Sequence, residues 1–293
     1  MMNREYQYTF KISGIVVCLH LQHEILVEDR FKLFMSDEKP DYNIYFQKVE
    51  TLDNTDGEVF YEGISYAAFA NDNSEFKRKF WDRKRNKYLY STGTYDWKNR
   101  VIIVKYLQGE EEMFGCVNAC FFYIAWEEIL MHERRIMLHS SFVETAYGSI
   151  LFSGVSGAGK STQADLWCKY RNSRMLNGDR TILQWSNEEL IGYGSPYAGS
   201  SKCYIDDSSK ISAIVFPEKK NFCKVRKLDR GTAFRRIFSG LTVNSWNVEF
   251  VEFACSMTEK IVKLIPCYEL SCTPDKNAVE VLEKVLREEV VYE

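Results

Sequence analysis

Short runs of β-branched and aromatic residues, separated by polar breaks, fill residues 6–107 of the chain. Runs of this kind predict β-strands. Residues 53–57 and the pair Thr92–Gly93 predict turns, and the basic run 77–87 is interpreted as a solvated turn between strands, with substrate docking as the alternative. The predicted strands lie in six segments: YTFKISGIVVCLHL, EILVEDRFKLFM, YNIYFQKVETL, GEVFYEGISYAAFA, KYLYSTGTYDW and NRVIIVKYL.

The pattern changes to helical spacing over residues 113–134, where Phe122, Trp126 and Ile129 share one face. We place a domain boundary at the start of this segment. Residues 1–112 then form a β-rich N-terminal domain, for binding substrate or a partner, and residues 113–293 form a second domain. Alternating strands and helices in the second domain predict the α/β (α+β) class. Its predicted strands are 136–145, 149–153, 181–185, 211–216 and one around Met175, and its predicted helices are 160–169, 231–238, 247–264 and 274–287.

Residues 154–161, with the sequence GVSGAGKS, match the phosphate-binding pattern G-x-x-x-x-G-K-[ST] in full. Backbone N–H groups of such a loop converge on a phosphate, and its glycines let the backbone approach without a Cβ clash. Lys160 would supply positive charge to the β- and γ-phosphates, and Ser161 would coordinate Mg²⁺. The predicted nucleotide-binding residues are Gly154, Ser156, Gly157, Ala158, Gly159, Lys160, Ser161 and Thr162.

Only residues 146–148 join the two strands that precede this loop. They are too few for a parallel crossover, so the strands are predicted to form an antiparallel hairpin. A two-residue turn then places His139 opposite Gly154 or Ser156. His139 is therefore predicted to lie beside the phosphates, the alternative being a His with a purely structural place in the sheet.

Asp179 follows the predicted P-loop helix in the segment LNGDR, at the edge of a strand. A phosphoryl-transfer site needs a carboxylate that holds the metal or accepts the proton of the acceptor hydroxyl. We therefore predict that Asp179 binds Mg²⁺ together with Ser161, and that Asp179, His139 and Lys160 are the catalytic residues.

Three other features are weaker candidates. The small-residue loop 192–201, followed by Lys202, is predicted either to fold over substrate or to form a structural hairpin. Arg180 is expected to pair with a neighbouring carboxylate rather than to stabilise the transferring phosphoryl group. Arg235 and Arg236 are expected on a solvated helix face rather than at an anion.

Composition excludes several classes of protein. The chain has 293 residues and a net charge of -3, so no broad basic surface is expected to hold nucleic acid. The apolar stretch 114–126 is too short to span a bilayer, and the N-terminus lacks the apolar region of a signal peptide. Nine cysteines without a CxxC pair predict buried free thiols in a reducing cytoplasm. We expect a cytoplasmic protein without nucleic-acid or membrane partners, and the oligomeric state stays open, a homo-oligomer included.

The segments LHSS at 138–141, FSGVSGAGKST at 152–162, LNGDR at 176–180 and GYGSPYAGSS at 192–201 together resemble the HPr kinase/phosphorylase-like and phosphoenolpyruvate-carboxykinase-like P-loop proteins. The resemblance covers residues 134–216 and implies a mixed-sheet P-loop kinase domain. It also implies Asp179 as general base, with His139 in support. Gly178 stands where the family usually has the first of two adjacent aspartates, so one carboxylate remains.

The sequence thus favours an ATP- and Mg²⁺-dependent kinase, with GTP as the other nucleotide that the motif fits. The acceptor would be a hydroxyl: Ser or Thr of a peptide or protein, or a small hydroxyl compound. A nucleotide-binding regulatory or scaffold protein without phosphoryl transfer is the alternative, and a phosphatase or phosphorylase working in reverse uses the same groups.

Overall fold

The chain divides into two units, Met1–Trp126 and Glu127–Glu293. A computed structural model describes residues 5–52, 59–62, 66–72, 75–82 and 86–290. The division lies after Trp126, and not before Met113 as the sequence predicted. Residues 113–126 belong with the first unit because Phe114 packs its ring 4.9 Å from that of Phe46 and 4.8 Å from that of Tyr106.

The described residues of the first unit form one mixed sheet of eight strands. Their order across the sheet is β1-β2-β3-β8-β7-β6-β5-β4. The pairs β2–β3 and β3–β8 are parallel, and the other pairs are antiparallel. The elements are β1 (Tyr6–Ile12), β2 (Ile15–Leu21), α1 (Asp29–Lys32), β3 (Tyr42–Val49), β4 (Val59–Glu62), β5 (Tyr66–Asp72), β6 (Glu75–Asp82), β7 (Lys87–Asp96), β8 (Val101–Leu107) and α2 (Val117–Tyr123).

Three local predictions in this unit are wrong. The segment 24–35 contains the short helix α1 instead of a strand. Residues 77–82 of the basic run 77–87 belong to β6, which pairs with β7 along its length, so the predicted turn does not begin at Lys77. Residues 83–85 of that run lie outside the described residues. Thr92 and Gly93 lie inside β7, where they pair with Lys77 and Phe76. The turn predicted at 53–57 lies outside the described residues.

The predicted helix over 113–134 is two short helices, α2 and α3 (Trp126–His132). Ala125 lies between them with φ of +52°, in the left-handed region, and a right-handed helix does not continue through such a residue. Helical spacing on both sides of Ala125 therefore produced the prediction of one continuous helix.

The second unit is a mixed α/β structure. Beyond α3, its elements are β9 (Arg135–Thr145), β10 (Gly148–Ser153), α4 (Lys160–Arg171), β11 (Arg174–Asn177), β12 (Arg180–Ser186), β13 (Glu189–Tyr193), β14 (Ser208–Lys219), β15 (Lys224–Lys227), α5 (Arg230–Phe238), α6 (Val248–Leu264), β16 (Cys267–Cys272) and α7 (Lys276–Val290). The predicted strands and helices are present. Strands β13, β15 and β16 were not predicted.

Two long strands join the sheet of the second unit into a closed circuit. The first part of β9 pairs with β12, and its second part pairs with β10. The first part of β14 pairs with β13, and its second part pairs in parallel with β10. Since β12 also pairs with β13, the strands β10-β9-β12-β13-β14 close on themselves, and β16 and β15 extend the sheet beyond β14.

Helices cover both faces of this sheet. Along β10, Ile150 and Phe152 pack into a core that includes residues of α4 and α7, whereas Leu151 packs into a core that includes residues of α5 and α6. Successive side chains of a strand point to opposite faces, so β10 is buried on both sides. The strand that leads into the phosphate-binding loop is therefore fixed by packing from two directions.

All nine cysteines are free thiols, as predicted, but only Cys18, Cys120, Cys267 and Cys272 are buried. The others are partly exposed. Within the described part of the chain, no helix is both long enough and apolar enough to cross a bilayer.

Candidate functional site

The GVSGAGKS loop connects the end of β10 to the start of α4. Gly154, Gly157 and Gly159 have φ of +138°, +78° and +105°, a region that residues with a Cβ rarely adopt. The glycines of the motif are therefore required by the backbone path. Helix α4 begins at Lys160, and the first N–H groups of a helix have no partner within the helix. The loop and helix terminus together have the form of an anion site.

Lys160 is buried, with 8% of its surface exposed. Its Nζ donates to the carbonyl oxygens of Gly154 at 2.9 Å and Val155 at 3.2 Å, so the ammonium group lies inside the loop. Burial lowers the pKa of Lys160, and the nearby Asp179 carboxylate acts in the opposite direction. The loop thus holds a poorly solvated positive charge, and poor solvation strengthens the attraction of this charge to an anion.

The hairpin of β9 and β10 has the predicted antiparallel form with a two-residue turn. Thr145 pairs with Gly148, and the ladder runs to the pair Ser140–Ser153. The next position places His139 opposite Gly154, as one of the two predicted registers required. Ser153 Oγ donates to the carbonyl oxygen of His139 at 3.0 Å, which ties the His backbone to the end of the P-loop strand.

His139 also faces the segment that carries Asp179. Strand β12 pairs with β9 so that Arg180 lies opposite His139, which brings the preceding residue, Asp179, to the imidazole. The distance from His139 Nε2 to Asp179 Oδ1 is 2.8 Å. This hydrogen bond is the main cause that lowers the pKa of Asp179, and the charges of Arg180 and Lys160 act in the same direction. Asp179 is therefore a carboxylate at neutral pH.

Asn177 fixes the turn on which Asp179 lies. Its Oδ1 accepts the backbone N–H groups of Asp179 at 2.9 Å and Arg180 at 2.8 Å. Its Nδ2 donates to the carbonyl oxygen of Ser195 at 2.9 Å. Asn177 is fully buried, so this amide orders the turn from inside the protein. The segment 177–179 is thus a turn that is stabilised by the side chain of its own Asn177.

The small-residue loop after β13 packs directly against this turn. A Cβ on Gly178 would lie 1.6 Å from Ser201 Oγ and 2.5 Å from Ser201 Cβ. Gly199 has φ of +55°, and a Cβ there would lie 3.0 Å from Asp179 Cγ. Gly178 is therefore a steric requirement of the loop, and this turn has no room for a second aspartate beside Asp179.

These elements enclose a polar cavity of about 270 Å³. It brings together most of the predicted site residues. Gly154 is not at its wall but accepts a hydrogen bond from Lys160, and Ala158 lines a neighbouring cavity. The lining residues are His139, Ser141, Ser156, Gly157, Gly159, Lys160, Ser161, Thr162, Gly178, Asp179 and Lys219.

The sequence did not single out Ser141 or Lys219 as site residues. Ser141 Oγ donates to the carbonyl oxygen of Gly178 at 3.0 Å, so it supports the turn before Asp179. Lys219 ends β14, which runs parallel to β10. A basic residue at the carboxyl end of a strand parallel to the P-loop strand was the signal that could have identified Lys219.

The lining of the cavity is better suited to Mg²⁺ that is bound together with a phosphate than to a metal ion held by protein ligands alone. Among the described residues, no three His, Cys, Asp or Glu side chains are grouped as metal ligands. Magnesium in phosphoryl-transfer sites usually takes one or two carboxylates and completes its octahedron with phosphate oxygens and water. Asp179 and Ser161 line the same cavity and are ligands of that kind.

The arginines have structural partners. Arg180 Nε lies 3.8 Å from Asp179 Oδ2, as predicted, and its Nη1 donates to Thr242 Oγ1 at 2.7 Å. Arg236 is not on a merely solvated face, because its Nη2 lies 2.9 Å from Glu218 Oε1 and 2.7 Å from Glu269 Oε2.

Two further candidates lie away from this cavity. Arg235 donates to Thr232 Oγ1 at 3.2 Å, and neither it nor Lys202 is among the residues that line the cavity.

No protein-family model matches the chain, and no curated protein matches it. A solved structure to which the chain is similar is the Hpr(Ser) kinase/phosphatase from Coxiella burnetii. The two are 12% identical over 53% of this chain and 91% of that chain, with a TM-score of 0.33. This relationship is distant, so the chemistry of the site has to be argued from its own geometry.

Proposed function

We propose that this protein is a kinase that transfers the γ-phosphoryl group of a nucleoside triphosphate, ATP in the first place, to a hydroxyl group. The observation that carries the proposal is the single cavity in which a complete phosphate-binding loop faces the hydrogen-bonded pair His139–Asp179. Phosphoryl transfer depends on positioning and on charge stabilisation more than on covalent chemistry by the protein. A preformed anion cradle opposite an ionised carboxylate supplies both.

The loop and Lys160 have the role of binding and orienting the phosphates. Lys160 bonds to two loop carbonyls, and the same ammonium group can move to the β- and γ-phosphate oxygens when these occupy the loop. Its lowered pKa reflects burial, which a phosphate dianion would compensate. Lys219, which also lines the cavity, adds a second positive charge.

Asp179 has the role of accepting the proton of the acceptor hydroxyl. As the hydroxyl oxygen bonds to the γ-phosphorus, the bond from that phosphorus to the bridging oxygen breaks, and the hydroxyl proton passes to Asp179. His139 holds Asp179 Oδ1 by its Nε2–H, whereas Arg180 Nε lies 3.8 Å from Oδ2, beyond hydrogen-bond distance, so Oδ2 can take the incoming proton. Ser161 and Asp179 would hold Mg²⁺, which when bound neutralises phosphate charge.

The second candidate is a nucleotide-responsive regulatory protein without phosphoryl transfer. The observation that favours it is Gly178, which leaves one carboxylate and has no room for a side chain. A kinase reaction would then require Asp179 both to bind Mg²⁺ and to accept the proton of the acceptor hydroxyl. Nucleotide binding without transfer requires neither role. The two candidates differ in whether label from the γ-phosphate appears on an acceptor.

Two substitutions test the proposal. Lys160→Ala is expected to weaken Mg-ATP binding by about 10- to 100-fold, because a charge-assisted contact to phosphate contributes roughly 1.5–3 kcal/mol. Asp179→Asn is expected to retain nucleotide binding and to lose transfer by about 10²–10⁴-fold, the usual contribution of a general base. Affinity is measured by calorimetry. Transfer is measured with γ-labelled ATP and a cell lysate, and then with the labelled acceptor.

Matched controls are available on the exposed side of α4. Lys169→Ala removes a positive charge, as Lys160→Ala does, and Asp165→Asn removes a negative charge, as Asp179→Asn does. Both control positions lie on α4 outside the cavity, and both variants are expected to behave as wild type. Equal Mg-ATP affinity in wild type and Lys160→Ala would remove the loop as the nucleotide site. Binding without a labelled acceptor in any fraction of the lysate would favour the regulatory candidate.

A further inference from the structure

A second, larger cavity lies next to the phosphate-binding cavity. Its volume is about 620 Å³, within the range of roughly 300–1,000 Å³ that is usual for small-molecule sites. Gly159, Thr162 and Lys219 line both cavities, so the two are neighbours across the start of α4. The lining residues of the larger cavity are Ala158, Gly159, Thr162, Gln163, Lys219, Lys220, Asn221, Cys272 and Pro274.

The direction of three strands explains why this cavity lies where it does. Strand β14 is parallel to β10, and β16 is parallel to β14, so the carboxyl ends of all three reach the same edge of the sheet. The P-loop follows β10, the turn with Lys220 and Asn221 follows β14, and Pro274 follows β16. In open α/β sheets, ligands bind in the crevice outside the carboxyl ends of the strands.

Gln163 contributes an unsatisfied hydrogen-bond acceptor to the lining of this cavity. It is only 2% exposed, and its Nε2 lies 3.1 Å from Cys272 Sγ. Within the part of the chain that the structure describes, its Oε1 is buried and accepts no hydrogen bond. A buried acceptor left in this state costs about 1–3 kcal/mol, so a donor from a ligand would relieve the penalty.

The two cavities also differ in the surfaces they offer. The smaller one is lined by Lys160, hydroxyl groups and loop glycines, which suits phosphates. The larger one combines the apolar side chains of Cys272, Pro274 and Ala158 with a few polar groups, which are the amides of Gln163 and Asn221, the Thr162 hydroxyl, Lys219 and Lys220. That mixture suits a flat heterocycle that carries both donors and acceptors at its edge.

We propose that the larger cavity binds the nucleoside part of the nucleotide, with Gln163 Oε1 accepting a hydrogen bond from the base. This inference rests on the proposed function, because it requires the phosphates to occupy the neighbouring loop. Thr162, in the first turn of α4, lies at the junction of the two cavities. Gln163 is thus a specificity-determining residue that distinguishes a nucleotide from a phosphate chain without a base.

The experiment compares MgADP with Mg-tripolyphosphate, which has phosphates and no nucleoside. Gln163→Leu removes the amide, and Asn221→Trp adds a bulky ring on an exposed turn at the cavity wall. Gln163→Leu is expected to weaken MgADP binding by about tenfold, the effect of one lost hydrogen bond in a buried site. Asn221→Trp is expected to weaken it by at least as much, because the ring fills space that the nucleoside would occupy. Both variants are expected to keep a tripolyphosphate affinity within about twofold of wild type. Lys224→Trp, at the exposed start of β15 and outside the cavity, is the control for adding a bulky ring to this part of the surface.

The outcomes separate this inference from the proposed function. If both cavity variants bind MgADP as tightly as wild type while Lys160→Ala loses both ligands, the nucleoside lies elsewhere and the inference is overturned. If wild type binds neither MgADP nor tripolyphosphate, both the proposed function and this inference fail. The unfolding transition of each variant, followed by circular dichroism, identifies a loss of affinity caused by misfolding, and Asn221→Trp then decides, because it changes an exposed residue.

Discussion

At the scale of single residues, the pair His139–Asp179 connects two strands that are distant in sequence. Asp179 is about one third exposed on its side chain, and its hydrogen bond to His139 Nε2 is the main cause of its lowered pKa. A carboxyl group with a lowered pKa in the folded state stabilises that state whenever it is ionised. The candidate catalytic base therefore also contributes to stability.

This link predicts a pH dependence. Because the folded-state pKa of Asp179 is lowered, its contribution is fully present above the usual carboxyl value of about 3.9 and is lost as the pH falls through the folded-state value. Asp179→Asn is thus expected to lower the free energy of unfolding near pH 7 and to differ less from wild type near about pH 3. Urea unfolding at both pH values measures the difference. A difference that stays constant would contradict the assigned interaction.

The sequence identified the loop residues and Asp179 because each has a local signature: a full motif for the loop, and a position after the P-loop helix for Asp179. It placed His139 beside the loop through the length of one turn. The sequence did not predict the contact between His139 and Asp179, because that contact depends on the pairing of β12 with β9. The residues of either strand alone do not specify which strand is its partner. Lys219 was missed for the same reason.

At the scale of elements, the loop after β13 and the turn before β12 form one packed unit. Ser201 Oγ donates to the carbonyl oxygen of Ala198 at 2.7 Å, which fixes the Ser201 side chain in its position against Gly178. Gly178 N donates to the carbonyl oxygen of Cys203 at 3.1 Å, which fixes the opposite side. The position of Asp179 therefore depends on close contact between backbone atoms.

A Cβ at position 178 is expected to break this contact. Gly178→Ala would place its methyl group 1.6 Å from Ser201 Oγ, and such overpacking lowers the free energy of unfolding by about 1–3 kcal/mol. Ser201→Gly removes the clashing atoms, so the double variant is expected to regain part of the stability. Thermal unfolding of the single and double variants measures this. Equal melting temperatures for wild type and Gly178→Ala would refute the close packing.

The elements that the sequence predicted are those with strong periodicity or a cap, such as α5 and α6, whose first turns each donate a backbone N–H to the side chain of the capping residue, Asp229 or Asn247. The missed strands lack that pattern. Strand β15 has the sequence KVRK, with one apolar residue, and forms because β16 pairs with it. Likewise β6 carries Lys77, Arg78 and Lys79 in its middle, and its pairing with β5 and β7 overrides the polar composition.

At the scale of the whole molecule, the candidate site belongs to one unit. Every residue that lines either cavity lies between His139 and Pro274, within the unit Glu127–Glu293. The first unit has its own buried aromatic cluster, in which the ring of Phe10 lies 6.0 Å from that of Phe31 and 5.8 Å from that of Phe121. The proposed nucleotide site is therefore formed by residues of the second unit alone.

Hydrogen exchange tests this division. MgADP is expected to slow amide exchange in the P-loop and the start of α4, at 177–180 and in the segments after β14 and β16, because ligand binding shifts local opening equilibria. Strands β1–β3 are expected to exchange at unchanged rates. Lys160→Ala should abolish the protection. Equal protection in both units would show that the nucleotide acts on the whole chain.

Strand β15 lies at one end of the order of strands in the second sheet, where its outer backbone groups have no neighbouring strand within that order. Three of its four residues, Lys224, Arg226 and Lys227, are basic and exposed. Arg226 is ion-paired with Glu269 on the neighbouring strand β16. Exposed basic side chains on an edge strand still oppose pairing with the same edge of another copy, which is one way in which natural sheets avoid edge-to-edge association. The sheet that carries the candidate site therefore resists growth into aggregates, even though most of its other strands are strongly apolar.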